Sequence, residues 1–335
     1  MADQIRNSSY VNPELAKILE TGPKPASLSV TSDIQALRKL LSQRKKELTQ
    51  SYANSGGPVI IEEDHSIPTR DGSQITVRAY KREHQDEPGP VLVIFHGGGW
   101  VLGGLENEVL LCRTWCEHFS GLCVNVDYRL APENPFPIPV YDTYDALTWT
   151  ASRAKLLGGN PEKGFIIGGI SAGGGMAAAI SHLYRDQNIQ PPLTGIYLSI
   201  PSVLAPQAVP EKYKSQYLSR KENANGLILD DGAIALFRRA YKDDPLSPLM
   251  SPFNWPNGHA NLPPTYFQIC GTDPLRDEAL LYEQVLREDY GVKTRADLYP
   301  GLPHGFWSWW PKTEFGKQHM RDSVKGLAWL LGQSE

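Results

Sequence analysis

Short apolar runs alternate with helix-length amphipathic segments along most of this chain, from about Val59 onwards. Residues in the short runs are apolar throughout, which is typical of strands buried on both faces of a parallel sheet. The alternation of strands and helices predicts a doubly wound, mostly parallel sheet with right-handed crossovers. The clearest predicted strands are Val91–Phe95, Leu122–Val126, Phe165–Ile167, Gly195–Leu198, Pro264–Cys270 and Arg295–Tyr299.

An antiparallel hairpin is predicted at one edge of this sheet. Its strands, Val59–Ile67 and Ile75–Lys81, are joined through the turn residues Arg70-Asp71-Gly72-Ser73. With the hairpin, the predicted sheet has eight strands. The predicted helices between the strands are Leu105–Phe119, Val140–Leu157, Ala172–Gln187, Asp277–Tyr290 and Thr313–Leu331.

Two stretches interrupt the alternation. Residues 1–55 contain two helical patterns, Asn12–Glu20 and Thr31–Gln50, and residues 202–250 are irregular apart from Asp230–Tyr241. We expect both to form a helical cap over the carboxyl ends of the strands, where open α/β sheets bind ligands. A peripheral helix pair with no part in binding is the alternative. The predicted units are cap helices 1–55, α/β core 56–201, cap insertion 202–250 and α/β core 251–335.

Composition and charge limit the classes of partner. The chain has 335 residues, of which 41% are hydrophobic, and a net charge of −4, so a large core is expected. A slightly acidic balance without a basic run argues against nucleic acid and anionic membranes. The N-terminus has no apolar signal region, and no segment approaches membrane-spanning length. We therefore predict a cytoplasmic protein, and a homodimer is left open.

Four cysteines are too few for a disulfide framework. Cys112 and Cys116 lie four residues apart on a predicted helix, but no second ligand pair has the spacing of a metal site. Reduced, packed thiols are the better interpretation, and we predict no metal.

A candidate nucleophile lies in Gly169-Ile170-Ser171-Ala172-Gly173, between an apolar run and a predicted helix. In that setting a G-x-S-x-G sequence is typical of a nucleophile elbow. The tight turn requires small flanking residues, and it holds the serine in a strained conformation that exposes its hydroxyl.

An activated serine needs a base and an acid that orients the base. His304 is the best-placed histidine, because it follows the last predicted strand in a loop bracketed by Pro and Gly. Asp273 follows the preceding strand and is the predicted acid. Asp277 is assigned to a helix start, where an acid suits the helix dipole. The order Ser171, Asp273, His304 is that of α/β-hydrolases.

Donors for a developing oxyanion are predicted in His96-Gly97-Gly98-Gly99-Trp100, directly after an apolar strand. Consecutive glycines let the backbone turn its N–H groups towards a substrate without an obstructing side chain. We predict that Gly98 and Gly99 act with the N–H of Ala172.

Across about residues 55–335 the chain resembles the hormone-sensitive-lipase family of α/β-hydrolase esterases. The matching segments are His96–Gly99, Asp127–Glu133, Gly169–Gly174, Asp273–Glu278 and His304–Phe306. The resemblance implies a carboxylic ester hydrolase without a cofactor, capped by the N-terminus and a mid-chain insertion. It also implies scaffold roles for Tyr128, Arg129 and Glu133. Many members of the family carry an acid just before the nucleophile, where this chain has Ile170, which we expect to face the core.

The predicted activity is hydrolysis of small to medium apolar or aromatic esters through an acyl-enzyme on Ser171. Trp100, Phe306 and Trp307 are the expected substrate contacts, because aromatic residues crowd the sequence around the site. Trp309 and Trp310 are equally compatible with the core or surface of the following helix.

Three alternatives stay open at this stage. An arylformamidase-type amidase and a transacylase would use the same three residues. A non-catalytic small-molecule receptor on the same fold is the alternative from a different class, since fold alone does not determine function.

Overall fold

The computed structural model describes residues 5–7, 10–25, 27–52 and 58–333. Its eight strands are β1 (Ile60–Pro68), β2 (Gln74–Arg82), β3 (Val91–Phe95), β4 (Leu122–Asp127), β5 (Phe165–Ile170), β6 (Gly195–Ser199), β7 (Thr265–Thr272) and β8 (Thr294–Pro303). They form one sheet in the order β1-β2-β4-β3-β5-β6-β7-β8. β1 and β2 form the antiparallel hairpin, and β2 also runs antiparallel to β4. All other neighbours are parallel, so the predicted α/β-hydrolase sheet is confirmed.

A separate hydrophobic core packs against each face of the sheet. Along β3, Val91, Val93 and Phe95 belong to one cluster of buried side chains, whereas Leu92 and Ile94 belong to a second. Because successive side chains of a strand point to opposite faces, the two clusters lie on the two sides of the sheet. Apolar residues are therefore required at every position of β3.

The helices are α1 (Pro13–Thr21), α2 (Ile34–Tyr52), α3 (Val109–Phe119), α4 (Ile138–Leu157), α5 (Ala172–Asp186), α6 (Ser219–Glu222), α7 (Asp231–Tyr241), α8 (Arg276–Glu288), α9 (Phe306–Trp309) and α10 (Glu314–Leu330). The sequence did not predict α6 or α9, because a one-turn helix is too short to show helical periodicity. Within the described part of the chain, no helix has the length and apolar character needed to cross a membrane.

Three helices begin one residue after their predicted start because the first predicted residue is an N-cap. Asn12 accepts hydrogen bonds from the amides of Glu14 and Leu15, and Asp230 accepts one from Ala233 at 2.8 Å. Thr313 caps α10 in the same way. Such side chains satisfy amides that have no partner in the first helical turn.

The N-terminal stretch and the 202–250 insertion contact each other. The amide of Leu28 donates to the carbonyl of Ile228 at 2.9 Å, and the Ser29 hydroxyl donates to Asp230 at 2.8 Å. Arg38 of α2 also ties this stretch to the core by donating to the Val101 carbonyl at 2.7 Å. The division of the chain into cap and core units stays a prediction.

The turn between β5 and α5 depends on backbone contacts that leave no room for a β-carbon. A β-carbon added to Gly169 would lie 2.2 Å from the backbone of Gly173, and one on Gly173 would lie 2.2 Å from the carbonyl oxygen of Phe95. The small residues predicted for this turn are therefore a steric requirement.

Replacing Gly169 with alanine tests this requirement. We expect Gly169→Ala to lower the free energy of unfolding by about 3 kcal/mol or more, because the clash is with backbone that cannot move aside. Gly104→Ala is the matched control: its nearest neighbour would lie 3.5 Å away, so a change within about 0.5 kcal/mol is expected. Urea unfolding measures both values, and equal losses would contradict the steric argument.

Candidate active site

Ser171 lies at the sharp turn between β5 and α5. Its backbone has φ 56° and ψ −116°, a conformation that residues other than glycine rarely adopt. The strained turn is held from β6, since the Ser171 amide donates to the Ser199 carbonyl at 2.8 Å. The turn therefore holds the serine hydroxyl at the carboxyl end of the central strands.

Two hydrogen bonds connect the three candidate catalytic side chains. His304 Nε2 lies 3.0 Å from Ser171 Oγ, and His304 Nδ1 lies 2.7 Å from Asp273 Oδ2. An ionised carboxylate only accepts hydrogen bonds, so Nδ1 carries the imidazole proton and Nε2 is free to accept the serine proton. The loops after β5, β7 and β8 bring these residues together from positions that are 133 and 31 residues apart.

The three candidate oxyanion donors lie on the wall of the cavity beside Ser171. In the described chain, none of the N–H groups of Gly98, Gly99 and Ala172 donates a hydrogen bond to another residue. Gly98 has φ 131° and Gly99 has φ 59°, so the turn requires a conformation that glycine adopts without strain. Unpaired backbone donors in such a place can stabilise an anion that develops on a substrate.

The glycine turn is braced by Tyr128 and His96. The Tyr128 hydroxyl donates to the His96 carbonyl at 2.8 Å, and the two rings stack with their centroids 4.1 Å apart. His96 Nδ1 lies 2.8 Å from the Gly97 carbonyl oxygen, and burial lowers the pKa of His96 to about 4. A neutral imidazole therefore supports the turn.

A cavity of about 160 Å³ opens at Ser171 and His304. Trp100 and Trp307, two of the predicted substrate contacts, line it, and the Trp100 ring stacks on Tyr241 with centroids 4.6 Å apart. Both irregular stretches of the chain contribute to its walls. Apolar lining residues outside the core sheet include Leu28, Leu41, Ile228, Ile234 and Phe237.

Phe306 does not line this cavity among the described residues, which corrects its prediction as a substrate contact. It is fully buried and packs edge-on against Tyr299 and Phe315. Residues of an α-helix are rotated by about 100° from one to the next, so in α9 Phe306 and Trp307 face different surroundings. Trp309 does line the cavity, beneath the guanidinium of Arg44 at 4.2 Å.

We expected Ile170 to face the core. It is buried, but the core is not its only surrounding. Its side chain lines the cavity at Ser171 and also a neighbouring cavity. The residue before the nucleophile is therefore an apolar part of the wall between the two spaces.

The insertion also holds the loop that carries Asp273, a relation that the sequence did not reveal. Asn223 donates to the Asp273 carbonyl at 3.1 Å, and the Ser219 hydroxyl donates to the Pro274 carbonyl at 2.8 Å. Asp277 is in the first turn of α8 as predicted, but it also accepts hydrogen bonds from the amides of Leu218 and Ser219. These partners are some 50 residues apart in sequence, so no local pattern indicates them.

No group of three or more His, Cys, Asp or Glu side chains in the described ranges is arranged to hold a metal ion. Cys112 and Cys116 are free thiols, and both are buried.

A family profile described as "alpha/beta hydrolase fold" matches residues 92–308, which include the candidate nucleophile, acid and base. The chain belongs to the hormone-sensitive-lipase-like family of α/β-hydrolase esterases. This membership confirms the family resemblance, which rested on motifs within the matched region.

Two curated relatives support the assignment of this chain as an esterase. A versiconal hemiacetal acetate esterase of Dothistroma septosporum is 35% identical over 316 residues, covering 94% of this chain and 93% of the relative. A carboxylesterase of Mycobacterium tuberculosis is 32% identical over 303 residues, covering 88% of each chain. The enzyme is thus an esterase-type α/β-hydrolase, a carboxylesterase by class.

Solved structures agree with the fold, and one of the two described next is also named an esterase. A vibralactone cyclase has a TM-score of 0.90 and 33% identity, over 97% of this chain and 96% of its own. A Pyrobaculum calidifontis esterase has a TM-score of 0.80 and 32% identity, over 96% and 99%. The overlap extends to the N-terminal stretch and the insertion, because nearly the whole chain is covered.

Four buried histidines make the stability of the folded enzyme depend on pH. Burial holds each imidazole neutral in the folded protein, so between the folded pKa and the usual value the unfolded chain binds more protons. Stability is therefore lost as the pH falls through this window. The pKa is lowered to about 4 for His96 and His259 and to about 3 for His182 and His319.

We expect the free energy of unfolding to fall by about 2 kcal/mol between pH 7 and pH 5.5. The contribution of each imidazole to the free energy of unfolding falls by about 1 kcal/mol over this interval. Burial raises the pKa of Asp127 to about 6 and that of Glu278 to about 7, and these two groups oppose the loss by about 1 kcal/mol each. Urea unfolding at the two pH values measures the difference, and exposed His84→Gln should leave it unchanged. A stability that rises over this interval would refute the neutral assignments.

Proposed function

We propose that the enzyme hydrolyses carboxylic esters through an acyl-enzyme on Ser171. The observation that carries this proposal is the Asp273–His304–Ser171 hydrogen-bonded chain, with distances of 2.7 Å and 3.0 Å, beside a largely apolar cavity that Ser171 and His304 line. Such a chain lets a serine hydroxyl lose its proton as it attacks.

In the first half-reaction, Ser171 Oγ forms a bond to the ester carbonyl carbon while His304 Nε2 takes the hydroxyl proton. Negative charge moves to the carbonyl oxygen, where the N–H groups of Gly98, Gly99 and Ala172 receive it. Collapse of this intermediate breaks the bond to the alkoxy oxygen, which leaves as the alcohol with the proton from His304. Asp273 stays ionised and stabilises the imidazolium.

In the second half-reaction, water replaces the alcohol. His304 takes a proton from the water as its oxygen attacks the acyl carbon, and the same N–H groups stabilise the second oxyanion. Collapse releases the carboxylic acid and returns the proton to Ser171. The chain's own residues therefore supply every proton transfer.

Small to medium apolar or aromatic esters are the proposed substrates. The cavity of about 160 Å³ is lined by Trp100, Trp307 and Phe237 and by residues of both the N-terminal stretch and the insertion. We propose that these two stretches, 1–55 and 202–250, act as the cap. One relative is named for an acetate ester, whose short acyl group suits a cavity of this size. The cytoplasmic location and the option of a homodimer stay predictions.

Acyl transfer to an acceptor other than water is the second candidate. The observation that favours it is the similarity in structure to a protein named a cyclase rather than a hydrolase. Adding alcohols or amines to the reaction distinguishes the two, because a transacylase gives products that depend on the acceptor. An arylformamidase-type amidase would be recognised by cleavage of anilides, and a receptor by binding without turnover.

Ser171→Ala tests the nucleophile. We expect kcat for p-nitrophenyl acetate to fall by about 10⁴-fold or more, because the acyl-enzyme cannot form. Ser202→Ala is the matched control, since Ser202 lies on the wall of the same cavity but its hydroxyl is not part of the hydrogen-bonded chain. A series of p-nitrophenyl esters from acetate to decanoate gives the acyl preference, and normal turnover by Ser171→Ala would disprove the mechanism.

Asp273→Asn tests the orienting acid. An asparagine amide can donate to His304 Nδ1, which places the imidazole proton on Nε2 and prevents Nε2 from accepting the serine proton. We expect kcat to fall on the order of 10⁴-fold. Circular dichroism and thermal unfolding of the variant exclude loss of folding as the cause, and a fall of less than about tenfold would reject Asp273 as the acid.

A further inference from the structure

A second cavity of about 80 Å³ adjoins the one at Ser171. The two cavities share a wall, which is formed by Lys45, Asn107, Glu108, Ile170, Trp307 and Ser308. The far walls of the second cavity come from α3 and α10 and include Leu110, His319 and Met320. The second cavity therefore lies next to the first, on the other side of Ile170 and Trp307.

His319 is an exception among the buried histidines. Only 4% of its surface is exposed, and neither ring nitrogen has a hydrogen-bond partner among the described residues. By contrast, His96 contacts the Gly97 carbonyl, and His182 and His259 contact each other at 2.8 Å. A buried polar group without a partner is costly, so a ligand or water that reached either nitrogen from the cavity would relieve that cost.

The imidazole of His319 is held in one orientation. Its ring stacks on Trp307 with centroids 3.6 Å apart and planes 9° apart, and Phe306 packs edge-on at 5.7 Å. A fixed ring presents its nitrogens in fixed directions, which is a condition for selective hydrogen bonding. Because Trp307 also lines the first cavity, the stacked pair of rings borders both cavities.

His319 is suited to a neutral partner. Burial lowers the pKa of its imidazole to about 3, so the ring is uncharged at neutral pH and has one donor and one acceptor nitrogen. An uncharged ring gives no particular attraction for a carboxylate, but either nitrogen can pair with a hydroxyl group, and the N–H can pair with a carbonyl oxygen.

We propose that the second cavity binds the distal end of the substrate and that His319 hydrogen-bonds to a hydroxyl or carbonyl oxygen there. The substrate class is then an ester with a second oxygen function, separated from the scissile carbonyl by an apolar segment that passes Ile170 and Trp307. This inference rests on the proposed ester hydrolysis at Ser171.

Matched substrate pairs test the inference with the unmodified enzyme. One series compares p-nitrophenyl ω-hydroxyalkanoates with methyl-ended alkanoates of equal chain length, and a second compares acetates of α,ω-diols with acetates of equally long alkanols. We expect kcat/KM to favour the hydroxyl by about tenfold or more at one length in at least one series. No preference for the hydroxyl at any length in either series would overturn the proposal.

His319→Phe and His319→Gln identify the residue responsible. Phenylalanine keeps the aromatic stack on Trp307 but has no nitrogen, so the ratio of kcat/KM for hydroxyl-ended over methyl-ended substrates should fall to about one. Glutamine, which has a donor and an acceptor, should recover part of the preference. His118→Phe is the matched control on the exposed side of α3 and should keep the wild-type ratio. A preference that survives His319→Phe would overturn the proposal.

Two further readouts separate this inference from the proposed function. If ester hydrolysis at Ser171 is wrong, p-nitrophenyl acetate is not turned over or Ser171→Ala has no effect. If only the present inference is wrong, hydrolysis depends on Ser171 but shows no preference for the hydroxyl. Calorimetric binding of the diol and alkanol acetates to Ser171→Ala tests the second cavity without turnover: preferential binding of the hydroxyl supports it, and equal binding rejects it.

Discussion

The whole site depends on how closely the backbone packs around Ser171. Gly169 and Gly173 approach their neighbours so closely that a β-carbon on either would overlap backbone atoms at 2.2 Å. That contact forces a sharp reversal from β5 into α5, and the reversal leaves Ser171 at φ 56° with its side chain at the carboxyl edge of the sheet. Parallel strands end at this same edge, so the loops after β7 and β8 deliver Asp273 and His304 to the serine. One steric requirement therefore determines where the other catalytic candidates have to lie.

The insertion contributes to this geometry as well as to the cavity wall. Glu278 accepts hydrogen bonds from the amides of Val203 and Leu204, and Asp277 accepts them from Leu218 and Ser219. Both carboxyl groups are fully buried, where an acid without partners would be strongly unfavourable. Displacing the insertion would remove Val203, Leu204 and Arg220 from Glu278, directly beside the loop of Asp273. Asp277 would lose the same kind of backbone contacts and keep only its ion pair with Arg276. The covering of the cavity and the position of the acid are thus coupled, because the same contacts maintain both.

Sequence alone was sufficient where local pattern and chain order carry the information. Short segments of sequence are enough to recognise the apolar strands and the glycine-flanked Ser171. The order of serine, acid and histidine likewise follows from the sequence without knowledge of the fold. What the sequence did not reveal depends on the direction of a side chain or on distant partners. Phe306 and Trp307 are adjacent and both aromatic, but one-turn helix α9 directs the first into the core and the second to the cavity. The contacts between α6 and the Asp273 loop join residues some 50 positions apart, beyond any periodicity.

Selectivity in such a site comes from unequal contributions by apolar and polar contacts. Apolar walls discriminate weakly between substrates, since one methylene changes binding by only about 1–3 kcal/mol, whereas a buried polar group left unpaired by the wrong substrate imposes a much larger penalty. The first cavity has mainly aromatic and aliphatic walls around Ser171, so we expect it to discriminate weakly between esters. His319, uncharged and without a partner in the described chain, lies in the second cavity, where a polar contact can distinguish one ester from another. The proposals thus assign the chemistry to Ser171 and the choice of substrate to contacts beyond Ile170 and Trp307.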